Sequence, residues 1–447
     1  MASAIGTSWS RDAIERALSR VREIGVVGAG GGGFPTAVKL QAQVSTVIAN
    51  AAECEPLLHK DKELLHHCFE PFLQGLEAAM AITGAWRGVI GVKEKYHDLI
   101  AALESHTPPN IRVASLPDVY PAGDEFILVN LVTGRIIPPG GLPKDVDAAV
   151  VNVETLVNLG LDRPVTHKYL TIAGAVHNPI TVRVPIGMSI GEVIEAAGGA
   201  TVRDFGVLIG GVMMAKPATG LDMPVTKTTG GLVILPASHK VWQRHNAPLS
   251  QARKIGRSAC DQCRFCTEFC PRFLLGHPIQ PHMAMQALGF SMTPNATLAG
   301  TLACCECNLC TMLACPEDLD PKTICAQAKQ AARAQGISFK DIVGAESVHP
   351  MAEFRRVPMH RLIAKLGLSE FNNIGPLVEY SFAPRTVRIL LKQHAGAAAV
   401  PVVKTGDRVS EADLVAAMEP GKLGAPIHAS INGTVTVGRD EILIEAE

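Results

Sequence analysis

The sequence lacks what would commit it to a membrane, a nucleic acid or the cell exterior. No run among its 447 residues approaches the roughly 18 consecutive apolar side chains of a membrane span, although 47% of residues are apolar. An integral membrane protein is therefore not expected. It has no excess of either charge, with 41 Lys and Arg against 42 Asp and Glu, so no net field draws it to nucleic acid or anionic lipid. Its opening stretch, "MASAIGTSWSRDAIERALSRVREIG", has no secretory apolar core. Cytoplasmic placement is the expectation. Twelve cysteines in such a chain are not a disulfide framework; in a reducing compartment, clustered cysteines mean metal.

What is present is alternation of strand and helix. "SRDAIERALSRVREIG" reads as a helix with Ile14, Ala17, Leu18, Val21 and Ile24 on one face. A short strand over 24–27, a glycine run and a helix from Pro35 are expected next. "STVIANAAECEP", "RGVIGVK", "IRVASLP" and "AAVVNVETL" read as buried strands of one α/β domain over 1–162. A smaller α+β module is expected over 163–240, where two alternating strands flank an Asn-Pro turn and a short helix ends in Gly-Gly. A helical cysteine-bearing segment over 250–335, a linker over 336–384 and a small β domain over 385–447 complete the division. No internal repeat is visible apart from a doubled cysteine motif.

That motif is specific. "CDQCRFCTEFCP" spaces Cys260, Cys263, Cys266 and Cys270 by two, two and three residues and ends in Pro271. This is the bacterial ferredoxin run, in which the fourth cysteine ligates the neighbouring cluster. A second copy follows: "CCECNLCTMLACP" gives Cys304, Cys307, Cys310 and Cys315, with one extra residue before the last. The predicted ligand sets are Cys260, Cys263 and Cys266 with Cys315, and Cys304, Cys307 and Cys310 with Cys270, each for a [4Fe-4S] cluster. Structural zinc also uses Cys-x2-Cys pairs, but a four-thiolate run closed by Cys-Pro favours clusters. Cys305 reads as a spare thiol, and Cys54, Cys68 and Cys325 as small buried hydrophobes. Two adjacent clusters make a one-electron wire, which needs a terminal.

The glycine run supplies a candidate. In "VGAGGGGFPTAVK", Gly28, Gly30 and Gly33 satisfy G-x-G-x-x-G, and Glu53 lies twenty residues beyond, so a Rossmann turn is one formal reading. Gly31, Gly32, Phe34 and Lys39 make a second: bare backbone for phosphate, a ring to stack on a flat heterocycle, and a positive charge.

The run resembles the glycine loop of the NADH-binding 51 kDa flavoprotein subunit of respiratory complex I. The likeness continues through "NAAECEP" (50–56), "YPAGDE" (120–125) and "NVETL" (152–156). It implies an FMN and NADH site formed by Gly28, Gly30 to Phe34, Lys39, Asn50, Glu53, Glu55, Tyr120, Gly123, Asp124, Glu125, Asn152, Glu154 and Thr155. Ala52 departs from the acidic residue of that family. The 163–240 module resembles its soluble-ligand-binding β-grasp (SLBB) domain. The two-cluster segment is closer to the RnfC component of the Rnf electron-transport complex, which carries a barrel domain ahead of the glycine loop. Here a barrel-sandwich-like domain comes last, an order that resembles the cobalamin reductases of propanediol-utilisation microcompartments. The implied fold is multidomain α/β: a Rossmann-like FMN/NADH domain, a β-grasp module, a ferredoxin-like helical segment and a terminal β domain.

The implied activity is an NADH-dependent oxidoreductase that passes electrons through FMN and two clusters to cobalamin. An adenosyltransferase and a shell protein are its implied partners, and a microcompartment is its setting. Two other readings stand beside it: an Rnf-type input subunit serving ferredoxin or a membrane partner, and a cluster-bearing scaffold. The opening helix reads as packed on its own domain rather than as a targeting peptide. The β-grasp module reads as a spacer, His59, His66 and His67 as helix-surface residues, and Lys422 as an ordinary surface lysine.

Overall fold

The computed structural model describes residues 9–289, 295–341, 347–371 and 373–446. The helix Arg11–Glu23 starts at Ser10, whose side chain accepts from the Ala13 amide, and buries Ala17, Leu18 and Val21 against the first domain. That is the packed role expected of it. The domain is built on four parallel strands, β1 Thr46–Ala51, β2 Arg87–Lys93, β3 Ile111–Leu116 and β4 Ala148–Asn152, in the order β3-β2-β1-β4. β1, β2 and β4 are buried almost throughout, because helices cover both sheet faces. The order reverses between β1 and β4, so a crevice opens at their carboxyl ends, where Asn50 is in register with Asn152.

The strand expected over 24–27 does not form. Only a single bridge joins Val27 to Pro35, the Gly28 amide donates to the Phe34 carbonyl at 2.9 Å, and the Gly33 amide donates to the Gly28 carbonyl at 3.0 Å. Gly31 and Gly33, at φ of 102° and 62°, turn the chain back before it can lie beside a sheet strand. The helix after Pro35 is one turn, Thr36–Lys39. The glycine run is therefore a closed loop laid over the crevice, not a strand-to-helix turn, despite its matching spacing.

The next module is a five-stranded sheet ordered Ile180–Pro185, His167–Gly174, Gly231–Pro236, Phe205–Ile209 and Lys216–Pro217. The expected short helix, Ile190–Ala196, packs on it behind a capping box of Ser189 and Glu192. Short helices carry the cysteines. Beyond them, Val357–Pro358 pairs with Val119–Tyr120 and ties that stretch back to the first domain. Two small sheets close the chain, one of four strands and one of three, around Val387, Ile389, Val415, Ile442 and Ile444. Among the described residues no helix is long and apolar enough to cross a membrane.

Candidate functional site

The crevice gathers residues from four separate stretches of sequence. The glycine loop lies across Asn152: a Cβ on Gly30 would sit 3.4 Å from that side chain, whereas one on Gly31 or Gly32 would meet nothing within 4 Å. The open side of the loop thus has room for a flat group, with Phe34 37% exposed at its edge. The Thr155 hydroxyl accepts from the Ala29 amide at 3.0 Å and holds the loop down. Asn50 donates to the Gly123 carbonyl at 2.9 Å, joining the first acidic stretch to "YPAGDE". Asn152 caps the helix Val153–Leu161 and donates to Asp61 at 2.8 Å. Lys39 donates to Glu125 at 2.7 Å and to the Val150 carbonyl at 2.9 Å.

Beneath the loop is a buried charge network. Lys168 bonds Glu154 and the Ala29 carbonyl, the latter at 3.1 Å; Lys60 pairs with Asp61 and lies 3.3 Å from Glu154. All four charged side chains are buried, and each charge has an opposite partner, as burial demands. Glu154 accepts also from the Tyr169 amide at 3.0 Å. These bonds hold its carboxylate under the loop. Glu55 is held in the same way. Its carboxylate accepts from the amides of Val212, Met213 and Met214 at 2.7, 2.6 and 2.9 Å, stapling the β-grasp module to the crevice wall. Glu53 keeps its place in the crevice and accepts from the Asp61 amide at 3.1 Å. Burial first, and the Asp61 carboxylate second, raise its pKa to about 8.

The β-grasp module is more than a spacer, since it contributes Lys168 to the loop. The last domain reaches the loop too. The Gly33 carbonyl accepts from the Ala395 amide at 2.9 Å, and a Cβ on Gly33 would meet Thr228 at 2.9 Å and His394 at 3.1 Å. Lys227, fully buried, donates to the carbonyls of Gly25 and Pro426, each at 2.8 Å. His59 is not a surface residue: it is half-buried against Gly375, and burial lowers its pKa to about 4. His66 and His67 are exposed, as expected.

The two cysteine loops share one backbone design. Gln262 and Arg264 in the first loop, and Glu306 and Asn308 in the second, all have positive φ, between 57° and 68°. They occupy matching positions, two and four residues after the leading cysteine. Such alternation turns successive amides inward into an anion-binding nest of the kind found at iron–sulfur sites. The extra residue of the second motif is absorbed by a π turn over Cys310–Ala314, which widens the helix by one residue. Cys315 consequently arrives with φ −77° and ψ 116°, close to the −71° and 118° of Cys270.

Cys260, Cys263, Cys266 and Cys315 line a single cavity, and Cys263 is exposed. Burial and then the neighbouring thiols of Cys260, Cys263 and Cys315 push Cys266 up to about 12. Cys270, Cys307 and Cys310 are buried and Cys304 half-buried. Burial and then the thiols of Cys304 and Cys270 hold Cys310 far above its usual range. Among the described residues no three His, Cys, Asp or Glu side chains are gathered closely enough for one metal ion. Cys305 lies beside Cys307 and Arg272, and Cys325 is fully buried within reach of thiols of both sets. Burial raises Cys54, which sits under Gly123, to about 12. Cys68 is half-buried, 3.9 Å from the Tyr169 hydroxyl.

The crevice and the second cysteine loop are directly joined. The Tyr120 hydroxyl donates to the Cys307 carbonyl at 2.7 Å, and Arg272, two residues after Cys270, pairs with Asp124 at 2.8 Å.

Models of four known domains match the chain in sequence order. They are the Nuo51 FMN-binding domain over 21–160, the SLBB domain over 169–216, a 4Fe-4S dicluster domain over 259–320 and the RnfC barrel sandwich hybrid domain over 374–442. Fold and site together define an iron–sulfur flavoprotein oxidoreductase. The chain is 46% identical over 442 residues to cobalamin reductase PduS of Salmonella typhimurium, covering 98% of this chain and 97% of that protein. It is also 46% identical over 423 residues to cobalamin reductase PduS of Citrobacter freundii, covering 93% of each. It belongs to the PduS family of cobalamin reductases. A more distant likeness, 35% over 272 residues and 58% of each chain, is to a component of the Na(+)-translocating ferredoxin:NAD(+) oxidoreductase complex of Acetobacterium woodii.

Proposed function

We propose that this chain takes electrons from NADH and delivers them, by way of FMN and two [4Fe-4S] clusters, to cobalamin. The observation that carries the reading is the direct joining of crevice and cysteine loops through Tyr120 with Cys307 and Asp124 with Arg272. FMN, when bound, supplies the exchange between a two-electron donor and one-electron carriers; the protein supplies placement and tuning. Gly28, Gly30 to Phe34, Lys39, Asn50, Glu53, Tyr120, Gly123, Asp124, Glu125, Asn152 and Thr155 line or brace the FMN and NADH site. Glu55 and Glu154 serve it from behind. The loop's bare face admits the ring system, and its underside is fixed by Thr155 and Lys168.

Cys260, Cys263, Cys266 and Cys315 hold the outer cluster, and Cys270, Cys304, Cys307 and Cys310 the inner one, within nests that favour a cluster's negative charge. The exposed Cys263 makes the outer site the exit. An adenosyltransferase that consumes the reduced cobalamin, a shell protein and the interior of a microcompartment in the cytoplasm are the partners and setting of this reading.

Anaerobic mixing of holoprotein with NADH and cob(III)alamin tests it. The flavin and iron–sulfur bands are expected to bleach first, followed by the corrin bands. Bleaching without corrin reduction would leave an Rnf-type input subunit. Failure to bind FMN on reconstitution would leave a scaffold.

A further inference from the structure

Arg272 stands at the seam between the crevice and the inner cysteine set, only 7% exposed. Its terminal nitrogen meets Asp124 at 2.8 Å, its guanidinium carbon lies 3.6 Å from the centre of the Phe126 ring, and it reaches the thiol of Cys305 beside Cys307. Its Nε is buried with no hydrogen-bond partner. Asp124, the one carboxylate paired with it among the described residues, is shared: its Oδ1 caps the helix Glu125–Thr133 through the amides of Phe126 and Ile127. A guanidinium is expensive to bury, and a single shared carboxylate only partly offsets its charge. For mere attachment of the cysteine segment to the first domain, a neutral side chain would serve at lower cost.

We propose that Arg272 sets the reduction potential of the inner cluster, its permanent positive charge raising the potential and the Asp124 carboxylate limiting the rise. The proposal rests on the assignment of Cys270, Cys304, Cys307 and Cys310 as that cluster's ligands. Reduction adds one electron to the cluster. A fixed positive charge in a weakly screening interior stabilises the reduced state more than the oxidised one. Because Arg272 keeps its proton at every working pH, the bias is constant.

Redox titration of the reconstituted full chain, followed by electron paramagnetic resonance for the clusters and by absorbance for the flavin, tests this. Arg272→Gln is expected to move one cluster midpoint to lower potential and leave the other in place, and Arg272→Lys to restore most of the shift. Asp124→Asn is expected to move the same midpoint the opposite way. An attachment role predicts no such opposition, so midpoints that stay put, or that move in one direction in both variants, overturn the proposal. If Arg272→Gln does not fold, the opposed sign of Asp124→Asn and the near-native midpoint of Arg272→Lys decide the matter. A wild-type protein with a single cluster signal would instead defeat the ligand assignment, a result distinct from two signals with unmoved midpoints.

Discussion

The phenolic hydroxyl of Tyr120 donates to the main-chain carbonyl of Cys307 at 2.7 Å, across 187 positions of sequence. Both residues are buried, so the contact fixes the distance between the flavin crevice and the inner cysteine loop. Removing the donor in Tyr120→Phe leaves that carbonyl short of a partner, at a cost of about 1–2 kcal/mol. Thermal unfolding should show a lower Tm. An unaltered Tm would mean that the bond contributes nothing to the join.

Lys168 crosses from the β-grasp sheet to the underside of the glycine loop. In Lys168→Met, Glu154 keeps Lys60 alone as a cationic partner among the described residues, and the Ala29 carbonyl loses a donor. Breaking a buried pair in this way costs about 3 kcal/mol or more. The loop should then hold its ligand less well, with FMN affinity falling on the order of tenfold, as when outer partners of cofactor ligands are removed. Fluorescence titration of apoprotein with FMN measures the fall. Equal affinity in variant and wild type would restrict Lys168 to folding alone.

Glu53 carries a pH signature. Burial and then Asp61 raise its pKa from the ordinary 4.5 to about 8. Between those values the folded chain retains a proton that the unfolded chain has released, so stability falls as pH rises through this window. The contribution is fully present below 4.5 and gone above about 8. Urea unfolding of the apoprotein across this range should show that slope, and Glu53→Gln should flatten it. A variant as steep as the wild type would locate the slope elsewhere.

The cysteine sets are separable. Cys263→Ser should reduce iron and sulfide from about eight each per chain to about four, leaving one cluster signal and an FMN content equal to that of the wild type. Cys310→Ser should remove the other signal. Loss of both from Cys263→Ser, or of neither, would redraw the ligand sets, and zinc in place of iron and sulfide would remove them.

Part of this was legible in the sequence because it is local. Cysteine spacing, the opening helix with its apolar face and the short helix before Gly198 and Gly199 each depend on neighbours within a few residues, and patterning reports such neighbours well. The glycine run was legible as a place without side chains, but not as a closed loop, since the φ values of Gly31 and Gly33 leave no trace in composition. Lys168, Lys227 and Arg272 were missed altogether. A lysine in an alternating strand or a turn looks like a solvent-facing charge, yet Lys168 of the strand His167–Gly174 meets the Ala29 carbonyl across 139 positions and Lys227, in a turn, the Gly25 carbonyl across 202. Glu55 lies in a stretch that resembles a cofactor site, and the amides that its carboxylate accepts from, 157 to 159 residues on, leave no local signal.

The grip of the last domain on Gly25 and Gly33 bears on how such chains are assembled. The domain that matches the RnfC barrel sandwich hybrid over 374–442 rests on the flank of that loop, with the Ala395 amide on the Gly33 carbonyl. Without it the Gly33 carbonyl would lose the Ala395 amide and Lys227 the Pro426 carbonyl, so the flank of the loop is completed only when a segment more than 300 positions away has docked.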